Sequence, residues 1–108
     1  VLRTIAELCH TRVRESDFLA RYGGEEFVLV LPQTGLQQAR VVAESLREAV
    51  QTCHFHYANK PVSVTISCGI AQVREGESMD RTFERADSAL YTAKSAGRNC
   101  VIDETRAE

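Results

Sequence analysis

The sequence predicts an α+β fold, an antiparallel or mixed sheet backed by helices. Two β-favouring runs flank a pair of glycines at positions 23 and 24, and a period-two apolar run extends from Val62 to Ile70. Helical periodicities precede, separate and follow these runs, giving the order helix, hairpin, helix, strands, helix, strand. The chain has 108 residues, of which 44% are hydrophobic, which suffices for one core in one domain and argues against disorder.

Leu2, Ile5, Ala6, Cys9 and Val13 recur at helical spacing, so a first amphipathic helix is expected to end near Val13. No capping residue precedes Val1, so the sequence reads as cut from something longer. Phe18 to Tyr22 and Glu26 to Leu31 flank Gly23-Gly24, a hairpin signal because glycine enters positive φ without steric cost. The run FVLVL lacks polar alternation, which predicts a central strand covered on both faces. Thr34 and Gln37 have capping-box spacing at the start of a second helix, whose stripe is Leu36, Ala39, Val42, Ala43, Leu46 and Val50. A short strand is expected over His54 to Tyr57, with a turn at Asn59-Lys60-Pro61. Val62, Val64, Ile66, Cys68 and Ile70 alternate with smaller or polar residues, predicting one long strand. After a polar loop at Glu75 to Ser78, Asp80 is placed to cap a third helix carrying Phe83, Ala86, Leu90 and Ala93, with Gly97 as its C-terminal glycine. Cys100 to Ile102 predict a last edge strand.

Thirteen Lys and Arg against 15 Asp and Glu give a formal charge of −2, which disfavours a protein that coats a nucleic acid polymer. No apolar run reaches the roughly 20 residues that span a bilayer, and the opening VLRTIAELCH lacks the pattern of a signal peptide, so a soluble, cytoplasmic chain is expected. Cys9, Cys53, Cys68 and Cys100 are scattered without a CxxC pair, which fits reduced thiols. His54 and His56 read as surface residues.

Glu25 and Glu26 follow directly on Gly23 and Gly24, so two carboxylates stand at a turn where a ligand can approach the backbone closely. Hard cations such as Mg²⁺ take oxygen ligands and are held by one or two carboxylates together with substrate phosphates. Taken in isolation, the pattern is more often a solvated hairpin tip. Lys94 and Arg98 are spaced to project from one face of the third helix and grip a polyphosphate, although the helix dipole by itself favours cations there. Arg14 and Asp17 form an Arg-x-x-Asp spacing in RESD, where arginine could fork onto a phosphate or a guanine edge, or simply lie in a solvated loop.

Taken together, RYGGEEF at 21–27, VTISCGIA at 64–71 and ADSALYTAKSAGRNCV at 86–101 resemble the C-terminal two-thirds of a GGDEF domain, the bacterial diguanylate cyclase family. The resemblance implies the palm of nucleotide cyclases and polymerases, ferredoxin-like in architecture. It implies that two GTP molecules are joined into cyclic di-GMP with release of pyrophosphate, in a homodimer whose subunits each present one GTP. It places the nucleotide against Gly23 and Gly24, and Mg²⁺ or Mn²⁺ on Glu25 and Glu26. The second acid is alternatively a group that helps deprotonate the attacking 3′-hydroxyl. Lys94 and Arg98 then bind the terminal phosphates of GTP. RESD matches the family's inhibitory site, so Arg14 and Asp17 would bind the product. The additional arginine of that pocket is left open between Arg40 and Arg47.

On the same resemblance, residues 1–108 are a single, N-terminally truncated domain. The family's first strand and helices, with another metal-binding aspartate and the guanine-recognising residues, would precede Val1. Little or no cyclase activity is therefore expected of these residues alone. An upstream sensory or regulatory domain is expected in a parent protein, for which an inner-membrane anchor is compatible. The alternative function is a receptor module that binds cyclic di-GMP without catalysis.

Overall fold

The computed structural model describes residues 1–107. Helices α1 (Leu2–Arg12), α2 (Leu36–Thr52), α3 (Met79–Ser95) and α4 (Glu104–Ala107) alternate with strands β1 (Phe18–Gly23), β2 (Glu26–Val30), β3 (Phe55–Tyr57), β4 (Lys60–Val62), β5 (Cys68–Ile70) and β6 (Val101–Asp103). The architecture is α+β, as the sequence predicts. The strands form three two-stranded pairs: β1 and β2 antiparallel, β3 and β4 antiparallel, β5 and β6 parallel.

The β5–β6 pair packs against both α2 and α3. Strands flanked by helices on two sides read as short, apolar and small-residue runs, which suits CGI and VID. One core cluster is built from Ile5 and Cys9 of α1, Leu46 and Val50 of α2, and Phe55 of β3, with Leu19 and Phe27 of the hairpin packed against it. Val50 is wholly buried. A second cluster joins Ala89 and Ala93 of α3 to Ile102 and Cys100. Its small residues let α3 approach closely, and Gly69 closes the gap. A Cβ at Gly69 would lie 2.3 Å from the Ala86 carbonyl oxygen and 2.3 Å from the Leu90 nitrogen, both backbone atoms of α3.

Several expectations are corrected. The long strand over Val62 to Ile70 is interrupted: residues 63–67 pair with no strand. The alternation there nevertheless marks a real face, since Val64 and Ile66 pack on the first core cluster while Ser63 and Thr65 are exposed. Period two reports which side is buried, whereas a ladder also requires a neighbour. Strand β2 has only β1 beside it among the described residues and is half-buried rather than covered on both faces. The capping box does not form. Gly35 is the N-cap of α2 without a side-chain bond, because the Thr34 hydroxyl accepts from Arg14 and donates to the Pro32 carbonyl. In α3 the cap is Ser78, whose hydroxyl accepts from the Arg81 N–H, and Asp80 lies in the first turn. Ala58 and Asn59 take positive φ in the β3–β4 turn, so Lys60 and Pro61 belong to β4.

All four cysteines are free, and His54 and His56 are exposed. Burial pushes the Cys68 thiol up to about 12, with Cys9 and Glu44 nearby adding to the effect. Such a thiol is chemically quiet.

Candidate functional site

The hairpin turns through Gly24 and Glu25, with Gly23 paired to Glu26 at the end of the ladder. Gly24 has φ +47, the left-handed region that a side chain would strain. The register shifts between Arg21 and Gly23, so Tyr22 occupies an irregularity just before the glycines. Arg21 closes the turn from below: its Nε and Nη2 both donate to the Gly24 carbonyl, at 3.1 and 2.7 Å. Tyr22 reaches α3, its ring centroid 5.7 Å from that of Phe83.

These ties present Glu25 at the tip and Glu26 as the first residue of β2, both exposed. Strand alternation sets Glu26 on the face opposite Phe27, which packs on the core. Among the described residues neither acid forms an ion pair; the nearby Arg21 is spent on a carbonyl instead. A β-carbon at Gly23 or Gly24 would meet nothing within 4 Å, so the backbone there is open to a ligand.

Lys94 is exposed in the last turn of α3, but Arg98 lies beyond the helix end and corrects the expectation of a shared helical face. The helix closes in a Schellman-like turn: Gly97 has φ +111, and the Arg98 N–H donates to the Ala93 carbonyl at 3.0 Å. Arg98 and Asn99 continue in the left-handed region, at φ +65 and +48. Among the described residues no hydrogen bond or ion pair joins the hairpin acids to Lys94 or Arg98. The hairpin meets α3 at Phe83, about 16 Å along the helix from Lys94.

Arg14 and Asp17 are brought together. The Arg14 N–H donates to Asp17 Oδ2 at 2.8 Å, and Arg14 Nη2 donates to Asp17 Oδ1 at 3.2 Å, to the Pro32 carbonyl at 2.9 Å and to Thr34 Oγ1 at 2.7 Å. The Asp17 carboxyl is 3% exposed and held below its ordinary range, chiefly by that backbone N–H and also by the guanidinium. Arg14 is 58% exposed and thus joins two loops while turning part of its fork to solvent. Among the described residues neither Arg40 nor Arg47 forms a hydrogen bond or ion pair with this turn. Arg40 pairs with Asp103 at 3.1 Å, and Arg47 with Glu44 at 3.2 Å.

Sequence reading misses Arg21, Tyr22 and Gly69 as determinants of the site. Glycine inside an otherwise apolar strand pattern is the signal that marks Gly69. The contacts of Arg21 and Tyr22 depend on the bulge and have no sequence signature of their own.

The arrangement is a palm-like α+β unit with GGEE at the tip of a hairpin. The sequence profile described as "Diguanylate cyclase, GGDEF domain" matches residues 1–100, and the chain belongs to that family. It is 48% identical over 99 residues to the diguanylate cyclase DgcP of Pseudomonas aeruginosa, covering 92% of this chain and 15% of DgcP. The GGDEF domain of DgcB from Caulobacter crescentus, solved in complex with c-di-GMP, superposes with a TM-score of 0.90 at 33% identity over 96% of this chain and 63% of that one. The diguanylate cyclase SiaD of Pseudomonas aeruginosa, solved in complex with its activator SiaC, superposes with a TM-score of 0.86 at 42% identity, over 92% of this chain and 38% of that one. The chain therefore spans only part of the relatives it matches. Among the described residues no helix is long and apolar enough to cross a membrane.

Proposed function

We propose that this chain is the C-terminal part of a diguanylate cyclase catalytic domain, which condenses two GTP into cyclic di-GMP and expels pyrophosphate. The observation that carries the reading is the hairpin tip: two exposed carboxylates without ionic partners among the described residues, on a glycine turn open to a ligand. In each of two steps the 3′-hydroxyl of one GTP attacks the α-phosphorus of the other, its proton leaves, and pyrophosphate departs. Gly23 and Gly24 admit the nucleotide against the backbone. Lys94 and Arg98 hold the terminal phosphates and orient the pyrophosphate for departure.

Glu25 and Glu26 are the residues that would hold Mg²⁺ or Mn²⁺. Two adjacent oxygen donors fit an ion whose remaining ligands are substrate phosphates and water. Among the described residues no group of three or more His, Cys, Asp or Glu converges, so a closed protein cage is not the fit. When bound, the ion supplies charge neutralisation of the phosphates. Glu26 is also a candidate to accept the hydroxyl proton.

With two protein donors, residues 1–108 alone give little or no cyclic di-GMP, and the reaction requires a homodimer in which each subunit presents one GTP. Cyclic di-GMP binds at Arg14 and Asp17 and inhibits. The solvent-facing part of the Arg14 fork supports this, and the free acids at the hairpin favour an enzyme over a pure receptor. Regulation comes from a sensory or regulatory domain upstream, and the domain works in the cytoplasm.

The test is turnover of GTP and Mg²⁺ by the full-length protein. Replacing both Glu25→Gln and Glu26→Gln is expected to cost at least about 100-fold in rate, whereas undiminished cyclic di-GMP production would refute the assignment.

A further inference from the structure

Arg98 is placed by three successive residues with left-handed φ, two of which are not glycine, and such a backbone persists only where its surroundings hold it. Two ties from distant parts of the chain do so. The Asn99 N–H donates to Ser67 Oγ at 3.1 Å, and Arg47 Nη1 donates to Asn99 Oδ1 at 3.0 Å. Arg47 is itself fixed on α2, through Glu44 at 3.2 Å and Gln51 at 3.0 Å. Its side chain is only 16% exposed, and Glu44 and Glu48 balance its charge, so it is poorly placed to receive a phosphate itself.

Resting on the reading that Lys94 and Arg98 grip phosphate, we propose that Arg47 and Ser67, acting through Asn99, are positioning residues that fix the direction in which Arg98 leaves α3. Ser67 and Cys68 secure the same strand end. The Cys68 N–H donates to the Cys100 carbonyl at 2.9 Å, so the backbone is tied on either side of the Asn99–Cys100 peptide. Asparagine suits the position twice over, because it tolerates the left-handed region and its amide oxygen receives the Arg47 fork. The grip on phosphate is thus set from α2 and from the segment entering β5 as well as by the helix that carries Lys94.

The probe is inorganic tripolyphosphate with Mg²⁺, titrated calorimetrically into the chain. Arg98→Ala should weaken binding about tenfold, the scale of one charge-assisted hydrogen bond. Arg47→Ala should weaken it by a similar factor with Arg98 present and by nothing further in the Arg98→Ala background. A merely structural role would give the same loss in both backgrounds. Asn99→Ala, which leaves α2 untouched, should reproduce the defect if Arg47→Ala fails to fold, and Asn99→Asp, which keeps the acceptor, should restore most of the affinity. Loss with Arg98→Ala but unchanged binding with both Arg47→Ala and Asn99→Ala overturns the positioning role and leaves the proposed function standing. Unchanged binding with Arg98→Ala removes the phosphate reading and this inference with it.

Discussion

The β1–β2 hairpin and the layer formed by α3, β5 and β6 are built on different principles. The hairpin tip is held by one guanidinium fork on a carbonyl and one aromatic contact, and its carboxylates have no protein partners among the described residues. In the α3 layer the backbone of the helix touches Gly69. Arg85 there bonds Glu77, Glu104 and the Gln72 carbonyl, tying the loop before α3 to the start of α4. Glu104 is buried yet paired with Arg85 and Arg74. Packing and ion pairs are concentrated in the α3 layer, while the acids that would meet a cation stay unpaired among the described residues. A site that must bind charge from outside cannot also neutralise that charge internally.

The comparison is broken most severely by Gly69→Ala. The new methyl would collide with backbone rather than with a side chain that can swing away, so α3 must move. We expect a loss of about 3 kcal/mol or more in urea unfolding; a loss below about 1 kcal/mol would show that the layer is looser than described.

Acid offers a graded version of the same test. Arg85 and Thr82 hold the Glu77 carboxyl below its ordinary value of 4.5, and hydrogen bonds from Thr105 together with Arg40 hold Asp103 below its ordinary value of 3.8. A depressed folded-state value contributes stability that is complete above the ordinary value and disappears as pH falls through the folded one. Stability should therefore be flat from pH 7 to 5 and decline progressively below about 4.5, and the decline should be smaller in Glu77→Gln. A decline of equal size in that variant would contradict the role given to the Arg85 pair.

The hairpin responds least. Arg21→Ala removes an exposed fork and is expected to cost about 1 kcal/mol, while weakening Mn²⁺ binding at the tip. An effect as large as that of Gly69→Ala would erase the distinction between the two regions.

Much of this was legible in the sequence where local chemistry decides. Gly23-Gly24 between β-favouring runs locates the hairpin, Gly97 locates the end of α3, and the apolar stripe of α2 locates its buried face at Leu46 and Val50. The failures occur where a distant partner decides. Thr34 has the spacing of a capping box, but Arg14 claims its hydroxyl. Val64 and Ile66 have strand periodicity, but no neighbour completes a ladder over residues 63–67. Lys94 and Arg98 have the spacing of a helical pair, but the glycine between them ends the helix, and Arg98 is placed by Ser67 and by Arg47, acting through Asn99. The acids of the candidate site could be read directly because nothing else among the described residues competes for them.

On the proposed function, Glu25 and Glu26 take a divalent cation together with a triphosphate. Paramagnetic broadening of backbone amide signals by Mn²⁺, recorded with and without GTP, tests it most directly. Selective broadening is expected over residues 24–27, strengthened by GTP and lost when both acids are changed to glutamine. Broadening that persists in that variant, or that spares the hairpin while appearing elsewhere, would contradict it.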